Sequence, residues 1–267
     1  MNIKPLSIII IAVILMSSLT LNIVLYHQAH KYFVEVNNIR LDPLGTELYE
    51  TPDLPDSNIK KEITRVVFLG DSRALQWPVP AHLRELIFFN RGIAAQTSAQ
   101  VLGRYDRHIL PLRPDILVIQ VCINDLKTIP LFKHLKQRIV DSCKANINEI
   151  VEKSINSGAK IILTTIFPLG DIPMRRRIFW SSEVESAIQD VNHYIASLKK
   201  ANVRIYDAAS ILVDQNGSVR ADYQADFLHI NEKGYIALNK HLRNILLEMS
   251  RDKRYMEGAR NVQVLKH

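Results

Sequence analysis

The 267-residue sequence is poor in cysteine, glycine and proline, with 2, 9 and 11 residues respectively. The two cysteines, Cys122 and Cys143, form no CxxC pair and offer no zinc spacing, so one disulfide and two buried thiols both remain open. The shortage of glycine and proline excludes a long flexible linker and a collagen-like repeat. A hydrophobic fraction of 47% with 23% charged residues excludes a disordered chain.

The sequence also lacks a basic stripe interleaved with aromatic residues, although its formal net charge is +7. Such a stripe is typical of nucleic-acid-binding proteins, so we predict no nucleic-acid partner. The dispersed positive charge indicates a solvated basic surface, and a weak attraction to anionic envelope polymers or lipid headgroups is the alternative. No internal repeat or low-complexity segment is present.

Charged residues are absent from Pro5 to Tyr26, and the segment Leu6–Met16 within this stretch is nearly all apolar. The uncharged stretch is as long as the roughly 20 residues that a helix needs to cross a bilayer. A cleaved signal peptide has a shorter apolar region and a small-residue cleavage site, of which Ser17–Thr20 is a poor version. We therefore predict a transmembrane signal anchor over residues 1–30, with the bulk of the chain on the periplasmic or extracytoplasmic side. Signal cleavage and secretion are the alternative.

The rest of the sequence divides into three predicted parts. Residues 31–62 contain three prolines and no sustained periodicity, which indicates a stalk or linker. Residues 63–250 form the predicted globular domain, and residues 251–267 form a polar tail.

The predicted domain alternates between strand and helix patterns. Short apolar runs rich in β-branched residues predict buried strands at Arg65–Leu69, Leu86–Asn90, Ile116–Val121, Lys160–Ile166 and Val203–Asp207. Amphipathic patterns predict helices at Thr97–Leu110, Leu131–Asn156, Ser182–Lys200 and Asn231–Met249. This alternation predicts an α/β fold with a parallel sheet covered on both faces, and a functional cleft at the C-terminal ends of its strands.

Residues suited to catalysis stand at or near these strand ends. Ser72 follows the first strand, where its hydroxyl would face the cleft or cap the next helix. Gly92 and Asn124 follow the second and third strands and could donate hydrogen bonds, although both residue types are common in turns. Late in the sequence, His229 is suited to general base catalysis, and Asp226 three residues earlier could fix its tautomer.

Taken together and in this order, these segments resemble the conserved blocks of the SGNH hydrolases, also called GDSL esterases and lipases. The matching segments are Phe68–Ser72, Asn90–Ile93 with Gln96–Ser98, Arg113–Asp115 with Asn124–Leu126, and Asp226–Tyr235. The resemblance covers about residues 63–249. It implies a three-layer α/β/α flavodoxin-like sandwich around a five-stranded parallel sheet, which the N-terminal transmembrane helix would precede.

The resemblance also implies the roles of the site residues. Ser72 would be the nucleophile, His229 its general base and Asp226 the carboxylate that orients the imidazole. The backbone N–H groups of Ser72 and Gly92 and the side-chain amide of Asn124 would form the oxyanion hole. The implied reaction is ester hydrolysis through an acyl-enzyme, which requires no metal and no cofactor.

The sequence departs from the family pattern at three places. Cys122 stands two residues before Asn124, where the family has a glycine, and Ile230 follows His229, where a proline is frequent. Ala94–Ala95 replaces other small residues of the second block. A larger side chain at position 122 could narrow the cleft or shift Asn124. We expect Cys122 to affect substrate choice more than chemistry, and weakened catalysis is the alternative.

The predicted function is a membrane-anchored serine ester hydrolase that acts on small acyl esters, with O-acetyl groups of envelope carbohydrate preferred. A lysophospholipase or short-chain acyl esterase and an acyltransferase on the same triad are alternatives. A further alternative is a catalytically silent glycan-binding module, but such a module would not need Ser72, Gly92, Asn124, Asp226 and His229 together. The predicted partners are the ester substrate and the membrane, and the sequence leaves the oligomeric state undetermined.

One loop after the fourth strand adds a hypothesis about the substrate. It contains Phe179 and Trp180 beside Arg175, Arg176 and Arg177. An aromatic side chain with a neighbouring arginine could bind a sugar or an anionic substrate. The alternative is a solvated basic loop whose aromatic residues pack on the core.

Overall fold

A computed structural model of the chain describes residues 5–49, 63–177, 180–198 and 200–264, and for residues 252–264 it describes the backbone alone. Phe179 and residues 50–62 of the predicted stalk lie outside the described residues, as does the end of the tail. The chain divides into two compact units, Met1–Glu47 and Leu48–His267.

The first unit consists mainly of one helix, α1 (Pro5–Leu41). An 18-residue window of this helix has a mean hydropathy of 2.7 and is wholly exposed. The helix is therefore long and apolar enough to cross a membrane, a property that signal sequences share. It continues past the predicted boundary at residue 30, because neither glycine nor proline interrupts the sequence before Pro43.

The second unit is built on a five-stranded, all-parallel sheet, as predicted. Its strands are β1 (Thr64–Gly70), β2 (Leu86–Gly92), β3 (Ile116–Gln120), β4 (Lys160–Thr164) and β5 (Val203–Tyr206). They lie in the order β2-β1-β3-β4-β5. The chain thus leaves β1 toward one edge of the sheet and returns to place β3 on its other side. This reversal is the topological switch point at which flavodoxin-like folds bind their ligands.

Helices cover both faces of the sheet. The helices of this unit are α2 (Ser72–Leu75), α3 (Ser98–Gly103), α4 (Tyr105–His108), α5 (Ile123–Leu126), α6 (Lys136–Asn156), α7 (Met174–Arg177), α8 (Glu183–Ser197), α9 (Ala208–Leu212) and α10 (Glu232–Val264). Successive strand residues point to opposite faces. Val67 and Leu69 of β1 pack in a cluster with residues of α3, α6 and α8, whereas Val66 and Phe68 pack with residues of α9 and α10. The three-layer α/β/α prediction is confirmed.

Some helix boundaries differ from the prediction. The segment predicted as one helix at Thr97–Leu110 is divided into α3, α4 and a short 3-10 turn, since Gly103 and Pro111 interrupt it. The helix predicted from Leu131 begins only at Lys136, after another 3-10 turn. The last helix continues beyond Met249 to Val264, so most of the predicted tail has helical backbone.

Candidate active site

The predicted nucleophile lies at the switch point of the sheet. Ser72 is the first residue of α2, directly after the C-terminal end of β1, and it is partly exposed. Asp71 precedes it and caps the helix by accepting a 2.9 Å hydrogen bond from the Arg73 N–H at Oδ1. The cap explains why a helix begins at Ser72, beside the C-terminal ends of the strands.

Ser72, His229 and Asp226 are connected by hydrogen bonds although the sequence separates Ser72 from His229 by 157 positions. Ser72 Oγ is 2.9 Å from His229 Nε2. On the other side of the ring, His229 Nδ1 is 2.9 Å from Asp226 Oδ2 and 3.1 Å from Oδ1. The arrangement has the geometry of a nucleophile, a base and a group that orients the base.

Asp226 is held in its ionised form by its surroundings. Partial burial raises the pKa of this carboxyl, but hydrogen bonds from the His229 side chain and from the backbone N–H groups of Leu228 and His229 outweigh it. The net result is a pKa below the usual value of an aspartic acid. Near neutral pH the group therefore carries the negative charge that orients the imidazole and would stabilise an imidazolium ion.

Gly92 has a structural explanation other than the predicted oxyanion role. Its N–H donates a 2.8 Å hydrogen bond to Asn90 Oδ1, so that donor is already occupied. A Cβ atom at position 92 would lie 2.2 Å from the Leu75 backbone nitrogen, which requires glycine for the close approach of β2 to α2. This geometry does not support Gly92 as an oxyanion donor.

Asn124 lies on α5, beyond the end of β3, and is only 4% exposed. One N–H of its side-chain amide donates a 2.9 Å hydrogen bond to the Gln96 C=O, which leaves the second N–H for another acceptor. The bond fastens the amide to the turn at Ala94–Ala95. Ala95 has a φ of +62° and is exposed, and its N–H meets no acceptor within the part of the chain that the structure describes.

Cys122 forms a disulfide with Cys143 of α6, and both residues are fully buried. Of the two possibilities that the sequence left open, one disulfide or two buried thiols, the structure therefore has the disulfide. Cys122 has a φ of +87°, in the left-handed region where the resemblance expects glycine. The disulfide joins the turn before Asn124 to a long helix and so restricts the position of the amide.

Two residues beside the site were missed by the sequence analysis. Tyr49 was assigned to the stalk, but its hydroxyl donates to the Gly92 C=O and its ring lies 4.5 Å from the Arg91 guanidinium. Arg104 is fully buried and donates to the Gly70 C=O at 3.0 Å and to the Arg91 C=O at 2.8 Å. Arg104 Nε also donates to Gln96 Oε1 at 2.6 Å. Neither residue belongs to a recognisable sequence pattern, since most of these partners meet them only when the strands come together.

The basic loop after β4 borders a cavity of about 740 Å³. Trp180 and Arg177 line this cavity, and Trp180 Nε1 donates a 3.1 Å hydrogen bond to Glu185 Oε1. The Trp180 ring also meets Phe227 edge-on at 5.4 Å. Because Phe227 directly follows Asp226, the loop contacts the segment that carries the carboxylate and the histidine.

A second cavity, of about 840 Å³, has a largely apolar lining that includes Val79 and Ile236. Gln76 and Ile230 also line it, and they follow Ser72 and His229 closely in the sequence. Lys240 and Arg243 lie at the same cavity. Within the described ranges, no group of three or more histidine, cysteine, aspartate or glutamate side chains is placed to hold a metal ion.

Comparison with known proteins agrees with this geometry. Residues 68–237, more than half of the chain, match the GDSL-like lipase/acylhydrolase family. The chain is 24% identical to the human platelet-activating factor acetylhydrolase IB subunit alpha2 over 193 residues, which cover 69% of this chain and 76% of that protein. The mouse alpha1 subunit is 24% identical over 201 residues, with 71% and 78% covered. The structure of a GDSL-like lipase from Bacteroides thetaiotaomicron, 22% identical, superposes with a TM-score of 0.56 over 79% of this chain and 98% of that one. The chain therefore belongs to the GDSL-like lipase/acylhydrolase family and is an ester-bond hydrolase.

Proposed function

We propose that this hydrolase acts through a serine-based acyl-enzyme, with Ser72 as nucleophile, His229 as general base and Asp226 as the orienting carboxylate. The observation that carries the proposal is the continuous hydrogen-bonded path from Ser72 Oγ through the imidazole to Asp226. A serine hydroxyl is a weak nucleophile until a base removes its proton, and only His229 is placed to do so among the groups bonded to Ser72 Oγ in the described chain.

The reaction follows from this geometry in two steps. Ser72 Oγ attacks the ester carbonyl as its proton passes to His229 Nε2, and the imidazolium then protonates the departing alcohol. Water attacks the acyl-enzyme in the second step, with His229 again accepting and returning the proton. The carboxylic acid is released and Ser72 regains its hydroxyl group.

The tetrahedral intermediates of both steps need hydrogen-bond donors. The Ser72 N–H is the first of α2 and has no acceptor within that helix. The second N–H of the Asn124 amide and the N–H of Ala95 are the other donors in this proposal. The bond from Asn124 to the Gln96 C=O supports this choice, because it places the amide against the turn that contains Ala95.

The preferred substrate in this proposal is an O-acetyl group on carbohydrate. The cavity beside Trp180 combines an aromatic ring with the polar side chains of Glu185 and Asn192, a combination suited to sugars. The names of the human and mouse relatives specify acetyl hydrolysis, which supports a short acyl group.

A second candidate substrate is an acyl ester of a lipid. The larger cavity favours it, since apolar residues line most of that cavity and the cations Lys240 and Arg243 lie at the same place. An acyl chain beside an anionic headgroup would match both features. The two candidate substrates therefore differ in the length of the acyl group and in the alcohol, which is a carbohydrate in one and a lipid in the other.

The proposal includes a single-pass membrane anchor with the catalytic unit on the extracytoplasmic side. The apolar helix α1 supports the anchor by its length and hydropathy. The disulfide between Cys122 and Cys143 supports the oxidising side of the membrane, because disulfides are rare in reducing compartments. Cleavage of the helix as a signal would instead produce a secreted enzyme.

The test of the reaction uses the full chain in detergent and p-nitrophenyl esters from acetate to dodecanoate. We expect turnover that is fastest with acetate and falls by about 10⁴-fold or more in Ser72→Ala. Ser197→Ala, which alters an exposed serine at the end of α8, is the matched control and should keep full activity. Absence of Ser72-dependent turnover with every ester would contradict the proposal, and a preference for dodecanoate would favour the lipid substrate.

The same kinetic assay tests whether the alcohol part of the substrate is a carbohydrate. With an O-acetylated oligosaccharide, Trp180→Ala should raise KM by about 10-fold, because a stacked aromatic ring contributes roughly 1–2 kcal/mol to binding. The KM for p-nitrophenyl acetate should stay unchanged in this variant. Equal KM values for the oligosaccharide with and without Trp180 would contradict a carbohydrate site in this cavity.

A further inference from the structure

The residue that follows the nucleophile is a fully buried arginine. Arg73 has no exposed surface, and its side chain reaches across the core from α2 to two other segments. Its Nη1 donates to the Phe167 C=O at 3.0 Å, and its guanidinium carbon lies 5.2 Å from the centre of the Phe167 ring. Its Nε donates to the Leu228 C=O at 2.9 Å.

The bond to Leu228 holds the peptide unit that carries the histidine. The C=O of this unit accepts from Arg73, and its N–H, which belongs to His229, donates to Asp226 Oδ1 at 2.8 Å. The unit is thus fixed at both ends. Ser72, Arg73, Leu228 and His229 therefore form a closed ring of contacts. Ser72 is bonded to Arg73 through the chain, and its Oγ lies 2.9 Å from His229 Nε2.

Burial of the Arg73 guanidinium charge is electrostatically unfavourable. Burial lowers the pKa of its guanidinium to about 10 and raises the pKa of the neighbouring Asp71 carboxyl to about 6. Arg73 Nη2 and Asp71 Oδ2 are both buried without a hydrogen-bond partner among the described residues. The two charges attract each other, but an apolar side chain of similar volume could fill this space without burying a guanidinium, so packing alone does not explain an arginine at this position.

We propose that Arg73 is a positioning residue that sets the distance and orientation between Ser72 Oγ and His229 Nε2 by holding the Leu228 C=O. The proposal rests on the function proposed above. Arg73 touches neither the substrate nor the reacting atoms in this arrangement. Its guanidinium acts through the backbone of His229, and the adjacent Asp226 carboxylate interacts favourably with its charge.

Arg73→Met and Arg73→Lys separate the hydrogen bonds from the side-chain volume. Methionine fills a similar space but donates no hydrogen bond, whereas the single ammonium of lysine cannot reproduce the planar fork that reaches both carbonyls. Because misplacement of a catalytic group by about 1 Å costs on the order of 100-fold, we expect kcat to fall about 100-fold in Arg73→Met. KM should change little, and Arg73→Lys should lie between the unaltered chain and Arg73→Met.

The second readout is the rate at which a fluorophosphonate probe labels Ser72 in the full chain in detergent. Labelling forms the Ser72 Oγ–phosphorus bond, releases fluoride and passes the serine proton to His229. It therefore reports the alignment of the two groups without requiring the natural substrate. We expect the labelling rate to fall by about the same factor as kcat, with Arg73→Lys partly restored.

Tyr206→Phe is the matched control for a loss of stability. The Tyr206 hydroxyl is buried and donates to a backbone carbonyl, that of Leu238, away from the histidine segment. At an equal loss of thermal stability, this variant should label at the rate of the unaltered chain. A low labelling rate in Tyr206→Phe as well would show that reduced stability alone explains the loss.

The outcomes distinguish this proposal from the proposed function. Labelling of the unaltered chain at Ser72 with an equal rate in folded Arg73→Met would overturn the role of Arg73 alone. No labelling at Ser72 in the unaltered chain would overturn both. If Arg73→Met does not fold, Arg73→Lys decides, and a lysine variant with the full labelling rate would assign Arg73 to folding only.

Discussion

At the scale of single residues, Asn124 combines a structural hydrogen bond with a second N–H that the proposed function assigns to the oxyanion site. Its amide has two N–H groups, and the Gln96 C=O accepts only one of them. Asp125, the next residue, accepts hydrogen bonds from the backbone N–H and the hydroxyl of Ser98 at 2.8 and 2.6 Å. Neighbouring residues of α5, which follows β3, thus bind the segment that follows β2.

Asn124→Ala should reduce kcat by about 10²–10³-fold, because removal of one oxyanion donor costs about 3–4 kcal/mol of transition-state stabilisation. KM for p-nitrophenyl acetate should change by less than a few-fold, since the donor acts on charge that develops only in the transition state. Steady-state kinetics of the purified full chain provide the measurement.

The control for this prediction is Asn148→Ala, which removes a partly buried amide of α6 that accepts from Lys200. It should leave both constants unchanged. An Asn124→Ala enzyme with full kcat would remove Asn124 from the proposed oxyanion site and leave that task to the backbone donors.

At the scale of secondary-structure elements, the contact between the end of β3 and α6 is covalent. Cys122 and Cys143 are 21 positions apart, and their disulfide closes the segment that contains α5. Cys122 also has a positive φ, which costs a side chain other than glycine about 1–2 kcal/mol. The disulfide and the backbone conformation therefore contribute to stability with opposite signs.

Two double variants separate these contributions. Relative to the unaltered chain, Cys122→Ala with Cys143→Ala should lower the free energy of unfolding by about 2–4 kcal/mol, as expected for a lost disulfide. Cys122→Gly with Cys143→Ala should recover about 1 kcal/mol of that loss, because glycine adopts the positive φ without strain. Denaturant unfolding of the full chain in detergent measures both, and equal stabilities would show that the backbone at position 122 is not strained.

At the scale of the whole molecule, the apolar helix α1 and the catalytic unit differ in how much apolar surface they expose. Helix α1 exposes large apolar side chains along its length, for example Ile10, Ile14 and Leu15, which water does not favour. The second unit has its own buried core on both faces of its sheet. A membrane around the first unit would resolve this difference.

We expect the full chain expressed in a bacterial host to resist alkaline extraction from membranes and to retain its N-terminal residues. Ile10→Asp with Ile14→Asp should release it, because each charge near the middle of a spanning helix costs about 3 kcal/mol. The control Ile10→Val with Ile14→Val should stay in the membrane. An intact mass that lacks the apolar segment would contradict the anchor and support secretion after cleavage.

Features that depend on short-range patterns agree with the predictions more closely than features that depend on long-range contacts. Strands and long helices arise from local periodicity, so the predicted bounds of the five strands and of α8 lie within a few residues of the observed ones. Residues of the stalk were assigned less well, since Tyr49 joins the catalytic unit through a contact with Gly92 far away in the sequence. Gly92 itself was assigned from a motif, although the acceptor of its N–H, Asn90, becomes apparent only in three dimensions.

Sequence patterns alone predict the α/β class and the places of the five strands along the chain, because both depend on local residue types and periodicity. The assignment of Ser72, Asp226 and His229 comes from the family resemblance, and the order β2-β1-β3-β4-β5 comes from the structure. Only the tertiary structure decided that Cys122 bonds to Cys143, that the Gly92 N–H is occupied and that Arg73 reaches the Leu228 C=O. The disulfide and the Arg73 contact join segments that are well separated in the sequence, so they depend on packing that no local pattern encodes. Gly92 and Asn90 are only two residues apart, and their contact depends on the conformation of the Asn90 side chain at the end of β2.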